Sequence, residues 1–449
     1  MIHFALNDLV EPLRARQVGP SVTFTGVATD SRHVPEGALF VALEGERFDG
    51  HRFAQQALDK GAAAALVARA DGITGPCLVV GDTLRALGEL ATLWRRRARA
   101  QVAAVTGSNG KTTVKEMLTS ILSLRAPTLF TQGNLNNEIG VPLTLFRLTD
   151  AHALAVIEMG ANHAGEIARL TAMVEPDVGV VTNAGPSHLE GFGSLDGVAR
   201  AKGELFRDLP AGATAVINAD DRYAPLWREL AGQRRVVTFG LEHEADVMAE
   251  RDNGAVTMVV GTQRLELVLP VPGRHNLANA LAAAATAHAL GIAPEAIRNG
   301  LQAFRPAAGR LTRRAGRAGS EVLDDTYNAN PASLVAGLDV LAEAGEPRWL
   351  ILGDMGELGA EAADLHAEAG RQARAAGVTR LFAVGPLSAA AVEAFGAGAE
   401  HFPGRDALVA SARQELTPGA TVLIKGSRSM GMEAVVRALE EPETADGDG

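Results

Sequence analysis

The sequence predicts an α/β protein of three domains, with a phosphate-binding α/β domain in the middle and a doubly wound α/β domain at the C-terminal end. Three observations predict it. The chain has 449 residues, too many for one domain at about 100–200 residues each. A strand pattern at 101–106 runs through Gly107-Ser108-Asn109-Gly110-Lys111 into a helical pattern at 112–122. From about residue 309, short apolar runs alternate with helical stretches, as in a parallel sheet with crossover helices. The expected divisions are 1–98, 99–308 and 309–449.

In the first segment, 22–27, 39–43, 64–67 and 78–80 read as strands and 53–60 as a helix. A second helix opens at Thr83 and ends in Arg95-Arg96-Arg97, cations that suit a helix C-terminus. This segment is expected to be separable, so that a chain starting at 99 would keep its nucleotide site. In the second segment the helix after Gly110 carries apolar residues at Val114, Met117, Leu118, Ile121 and Leu122, the helical period. Runs 153–157 and 178–182 have the length of buried strands. Stretches 256–260 and 265–269 flank Gly261-Thr262-Gln263-Arg264 as a hairpin, and Ala-rich 278–289 reads as a helix. In the third segment, strands at 321–323, 349–352, 381–384 and 422–424 alternate with helices near 333–344, 362–376, 406–416 and 433–439. The acidic tail 440–449 is expected to be disordered.

Apolar residues make up 47% and charged residues 21%, an ordinary globular balance. The formal net charge of -11 argues against a nucleic-acid surface. One cysteine, Cys77, excludes an internal disulfide and a cysteine metal cluster. No apolar run reaches the roughly 20 residues of a membrane span, and no signal peptide is evident, so a cytoplasmic protein is expected.

The chemistry concentrates at strand ends. Glycines at 107 and 110 let backbone N–H groups face phosphate oxygens, beside the positive end of a helix. Lys111 can reach terminal phosphates, and the Thr112 hydroxyl, with Thr113 next to it, can ligate Mg²⁺. Val105 stands where the fuller P-loop pattern has another glycine, so the loop is a shortened variant. Glu158 ends a strand, where open α/β sheets bind ligands; it can hold Mg²⁺ or serve as a salt-bridge or capping residue. His188 lies past another strand, as a metal ligand or a satisfied loop histidine. Lys202 reads as a solvated helix lysine. Asn276 and Asn279 can present amides to a base, or Asn276 can cap the helix. Asp324-Asp325-Thr326-Tyr327-Asn328-Ala329-Asn330-Pro331 has turn chemistry after a strand.

In this order, over about residues 26–433, these motifs resemble the Mur ligase family of peptidoglycan precursor synthesis. Asp30-Ser31-Arg32, Arg47-Phe48-Asp49-Gly50-His51 and 133–142 carry the likeness with the loops above. So do 325–331, Leu352-Gly353-Asp354-Met355-Gly356-Glu357-Leu358-Gly359 and Lys425-Gly426-Ser427-Arg428-Ser429-Met430. Gly356 replaces a larger residue expected there.

The resemblance implies an ATP-dependent ligase joining a carboxylate to an amine through an acyl-phosphate. It implies ATP and two Mg²⁺ as cofactors, with Lys202 carbamylated and bearing on the second ion beside Glu158 and His188. It implies nucleotide contacts from Arg310 and Asp325 and adenine-side roles for Asn276 and Asn279. Within the family, the substrates implied are UDP-MurNAc-tripeptide and D-alanyl-D-alanine, and the protein is expected to be a monomer. Ser31 and Arg32 are the candidates for the UDP moiety, and Asn137, Asn328 and Asn330 are further substrate-binding candidates. A sibling adding the third amino acid would carry Asp-Asn-Pro-Arg in its third domain, which this chain lacks. A folyl-polyglutamate-type ligase would lack the first domain. A non-catalytic nucleotide switch would not need Glu158, His188 and Lys202 together.

Overall fold

A computed structural model of the chain describes residues 2–45, 48–186, 189–252 and 255–441. His188, Arg47 and the tail from 442 lie outside these residues.

The centre is a nine-stranded sheet in the order Thr128–Phe130, Leu154–Glu158, Gln101–Thr106, Val178–Val181, Thr214–Asn218, Arg235–Gly240, Val247–Asp252, Ala255–Val260, Gln263–Glu266. The first seven strands run parallel and the last two pairings are antiparallel. The strands Leu154–Glu158 and Val178–Val181 flank Gln101–Thr106 on opposite sides, so the winding reverses at that strand and a crevice opens at its C-terminal end. Val105 is in register with Glu158 and Thr106 with Val181, which brings three strand ends to one edge.

The helix Lys111–Ser123 buries Val114, Met117, Leu118, Ile121 and Leu122, the stripe its periodicity predicts. It packs on the Ala-rich helix Arg274–Ala289 and on Pro294–Ala303. A Cβ on Gly300 would lie 2.4 Å from Ile121 Cα, so glycine lets the last pair close up.

The expected hairpin is present, with its second strand at Gln263–Glu266 rather than 265–269. Val260 pairs with Gln263, and Gly261, at φ 58°, supports a two-residue turn. The expected strand 22–27 is two strands: Thr23–Thr25 pairs with His3–Ala5, and Val27–Ala28 with Leu39–Val41. Gly26, at φ 87°, makes the break.

The C-terminal sheet runs Thr312–Gly316, Ser320–Asp325, Thr421–Lys425, Arg348–Gly353, Arg380–Val384, Ala399–Phe402. All its pairings are parallel except the opening hairpin.

The first segment forms a five-stranded sheet of its own, Arg16–Val18, Cys77–Val79, Ala64–Val67, Leu39–Val41, Val27–Ala28, yet its apolar core does not end at residue 98. Phe4, Leu90 and Trp94 share one cluster with Val102, Leu145, Leu170 and Met173. Polar bonds cross the same seam. Trp94 Nε1 donates to Leu148 O (3.1 Å), and Ile2 N to Phe146 O (3.2 Å). Buried Arg95 donates to Val174 O (2.9 Å) and Glu175 O (3.3 Å), while Arg96 pairs with Glu175. The Arg95–Arg97 cluster therefore does more than neutralise a helix end.

A chain starting at residue 99 exposes that shared apolar face. We expect it to aggregate, or to melt at least about 5 °C below the full chain by circular dichroism. An equal Tm would show that the two bodies are separable.

Candidate active site

Gly107 and Gly110 take φ of 140° and 82°. A Cβ on Gly107 would lie 2.0 Å from Thr182 Oγ1, and one on Gly110 would lie 2.2 Å from Asn279 Oδ1. The loop is clasped by the end of the neighbouring strand. Thr182 Oγ1 and Asn183 Nδ2 donate to Asn109 O (2.6 and 3.1 Å). Asn109 N donates to Asn183 Oδ1 (3.0 Å), and Ser108 Oγ donates to Gly185 O (3.0 Å). Lys111 Nζ folds back onto Gly107 O (2.8 Å) and Ser108 O (3.0 Å). Burial pushes its pKa down, Glu158 pulls it back up, and Arg310 adds to the lowering.

Glu158 is 2% exposed. Asn136 Nδ2 donates to its Oε1 (2.8 Å), while Oε2 is buried with no hydrogen-bond partner. Lys115 Nζ stands 3.9 Å from that oxygen. An orphaned carboxylate oxygen and the Thr112 hydroxyl are hard oxygen donors of the kind Mg²⁺ takes, so these residues fit that ion.

Lys202 is not solvated. It is 1% exposed, donates to Ala161 O (3.3 Å), and lies 5.1 Å from the centroid of the Phe192 ring. Burial, then the nearby charge of Lys111, lowers its pKa from 10.5 to about 7, against the opposing pull of Glu166 and Glu204. Glu204 itself accepts from Gly165 N (2.7 Å) and Ala168 N (3.0 Å), at the start of the helix Glu166–Val174.

The C-terminal domain reaches the same crevice. Arg310 Nη2 donates to Thr112 Oγ1 (3.1 Å), and its guanidinium stacks 3.8 Å from the Tyr327 centroid. Asn330 Nδ2 donates to Asn109 Oδ1 (2.8 Å), while its Oδ1 accepts from Ser333 N to cap the helix Pro331–Ala342. Asp325 pairs with buried Lys425, which also donates to Asn328 O (3.0 Å). A small cavity lined by Thr112, Thr113, Asn276, Phe304, Ala307 and Arg310 lies beside the phosphate loop. Asn276 does not cap its helix; its amide donates to Pro272 O (2.7 Å), and Asn279 Nδ2 is 3.5 Å from its Oδ1.

Other candidates have their bonding partners elsewhere. Asn137 accepts from Ile139 N and Gly140 N, at the start of the helix Gly140–Leu145. Arg32 forks onto Asp30 at the surface, and Ser31 O accepts from Lys60 Nζ (2.8 Å). Glu44, Asp49 and His51 cluster in the first domain, but His51 uses both ring nitrogens, on Asp49 and on Ala68 N. Asn136 and Lys115 went unnoticed in the sequence. Lys115 had a signal: it lies on one helical stripe with Lys111, Leu118 and Leu122.

Gly110→Ala forces a side chain into Asn279 and a left-handed backbone at about 1–2 kcal/mol. We expect ADP affinity by calorimetry to fall at least about tenfold, with the fold retained.

Comparison with known proteins gives a consistent likeness. Family models for the Mur ligase family, catalytic domain, the Mur ligase middle domain and the Mur ligase, glutamate ligase domain match residues 23–97, 105–287 and 309–428. The UDP-N-acetylmuramoyl-tripeptide--D-alanyl-D-alanine ligase of Escherichia coli K12 is 46% identical, over 99% of this chain and 100% of that protein. The crystal structure of MurF from Acinetobacter baumannii superposes with a TM-score of 0.91 at 36% identity, over 97% of this chain and 98% of that one. MurF ligase from Thermotoga maritima, solved in complex with ADP, superposes at 0.83 with 26% identity, over 92% and 96% of the two chains.

Proposed function

Since this chain belongs to the Mur ligase family, we propose that it joins D-alanyl-D-alanine to the terminal carboxylate of UDP-N-acetylmuramoyl-tripeptide, using ATP and releasing ADP and phosphate. The observation that carries the reading is the meeting of the phosphate loop, the Glu158 carboxylate and the C-terminal Arg310 in one crevice, on a chain alike over nearly its whole length to ligases of that name. The protein acts in the cytoplasm, as a monomer.

A carboxylate is a poor acyl donor because oxide would have to leave. A substrate carboxylate oxygen attacks the γ-phosphorus of ATP, and ADP departs. The uncharged amine of the dipeptide attacks the resulting acyl-phosphate carbon, the tetrahedral adduct expels phosphate, and the new amide nitrogen loses its proton. The protein's work is to position two anions and neutralise their repulsion. Lys111 exchanges its bonds to Gly107 O and Ser108 O for phosphate oxygens. Loop N–H groups hold the phosphates, and the nucleoside lies along the cavity bounded by Asn276 and Arg310, with Asn279 next to it. Thr112 and Glu158 would hold Mg²⁺, which would supply neutralisation of phosphate charge. Asp325, held by Lys425, contacts the nucleotide from the C-terminal domain, and Asn328 and Asn330, fixed by Lys425 and Asn109, take substrate. Ser31 and Arg32 receive the UDP moiety.

In this reading Lys202 works as a carbamate, which with His188 would hold a second Mg²⁺. Its lowered pKa supplies the neutral amine, whose nitrogen attacks CO₂ and releases a proton. An ammonium has only donors and cannot ligate a cation.

The direct test is phosphate release. It should require the UDP-tripeptide and D-alanyl-D-alanine together, and mass analysis with lysine or a diamino acid as third residue reads the preferred tripeptide. Release that ignores the dipeptide would count against the ligase. Lys111→Ala should lose at least about 1,000-fold in turnover with an unchanged fold.

Lys202→Met should also lose most turnover, yet gain stability. With a pKa of about 7 against 10.5 when unfolded, Lys202 costs stability fully below about pH 7, and the cost fades as pH rises toward 10.5. In CO₂-free buffer at pH 7 or below, the variant should melt about 2 °C or more higher, a gain that vanishes toward pH 10.5. A lower Tm across that range would refute the lysine's unfavourable burial.

A further inference from the structure

Lys115 has no part in the reaction as described. It is 1% exposed, on the second turn of the phosphate-loop helix, and its side chain points into the protein. Its Nζ lies 3.4 Å from Glu116 Oε1 and 3.9 Å from Glu158 Oε2. That Glu158 oxygen is buried with no hydrogen-bond partner, whereas the other is held by Asn136 at 2.8 Å. The orphaned oxygen is thus compensated by charge and not by a hydrogen bond.

Further cations surround the crevice. Lys111 interacts electrostatically with both Glu158 and Arg310, and Lys202 feels Lys111. Arg310 already occupies the Thr112 hydroxyl. A bare divalent cation entering this space meets positive charge on several sides, and one of its oxygen donors is engaged by Arg310. Nucleotide phosphates reverse that balance: they satisfy Lys111, face Arg310 and bring negative charge of their own.

We propose that Lys115 is a positioning residue that stands in for the metal at Glu158, so that the site takes a divalent cation only together with nucleotide phosphate. The ammonium holds the carboxylate in its bound orientation and weakens its attraction for an unaccompanied ion. The benefit is order of binding: metal cannot settle on Glu158 and Thr112 before the phosphates it must neutralise. This rests on the ligase reading for the identity of the nucleotide.

The test measures Mn²⁺ binding by electron paramagnetic resonance on the full chain, with and without ADP, at pH 8.5. The wild-type protein should bind Mn²⁺ at least about tenfold more tightly with ADP than without it. Lys115→Met should bind Mn²⁺ without ADP at least about tenfold more tightly than wild type, narrowing that gap, and Lys115→Gln should do the same. If Lys115→Met binds nucleotide-free Mn²⁺ no better than wild type, or worse, the inference is overturned. If neither variant folds, the wild-type comparison still decides: equal Mn²⁺ affinity with and without ADP overturns it. Calorimetric titration with ADP separates the two levels. A protein that binds no ADP refutes the ligase reading, whereas one that binds ADP but takes Mn²⁺ independently of it refutes only the role of Lys115.

Discussion

Buried positive charge that awaits an anion governs this molecule. Lys115 and Lys202 are withdrawn from water around one crevice, Lys111 is partly so, and Arg310 closes over it from the C-terminal domain. Removing a charge from water is costly unless partners replace the solvent. Here the replacements are partial: two loop carbonyls for Lys111, one carbonyl and an aromatic face for Lys202, and an incompletely bonded Glu158 for Lys115. Anionic ligands such as phosphate or carboxylate would supply the partners that these cations lack. Strand register, the clasp between the two loops and the glycines all serve to hold cations that would otherwise separate.

The domains are joined to this centre in two different ways. The first shares an apolar cluster with the central domain, and Arg95 threads the seam. The C-terminal domain has apolar clusters of its own, and it meets the phosphate loop through polar contacts from Arg310 and Asn330. Such bonds exchange with water at small net cost, whereas parting the first seam exposes apolar surface. The joint made of polar contacts thus lies at the phosphate loop, and the joint made of apolar surface lies away from it.

Much of this was legible in the sequence. The strand Gln101–Thr106, the loop and the helix after it follow from periodicity and glycine placement, and Glu158 ends its strand where the apolar run ends. What periodicity alone does not show depends on burial by distant chain, and Lys202 is reached in the sequence only through the family likeness. Lys202 and Lys115 look like solvated helix charges until Phe192 or the Glu158 strand covers them. Arg95 looks like a helix-end charge until Val174 and Glu175 arrive. Edge strands such as Thr128–Phe130 are too short to show a period, and Gly26 divides what composition alone joins into one strand.

The folded-back Lys111 makes the loop its own competitor. Two of the lysine's three N–H donors already serve Gly107 and Ser108, so no more than one bond to phosphate forms without displacing one of them. Its share of the affinity is therefore a difference between two largely bonded states. Inhibitors that only imitate a phosphate acceptor gain little there, while a ligand that also takes over the carbonyls of Gly107 and Ser108 removes the competitor and keeps the gain.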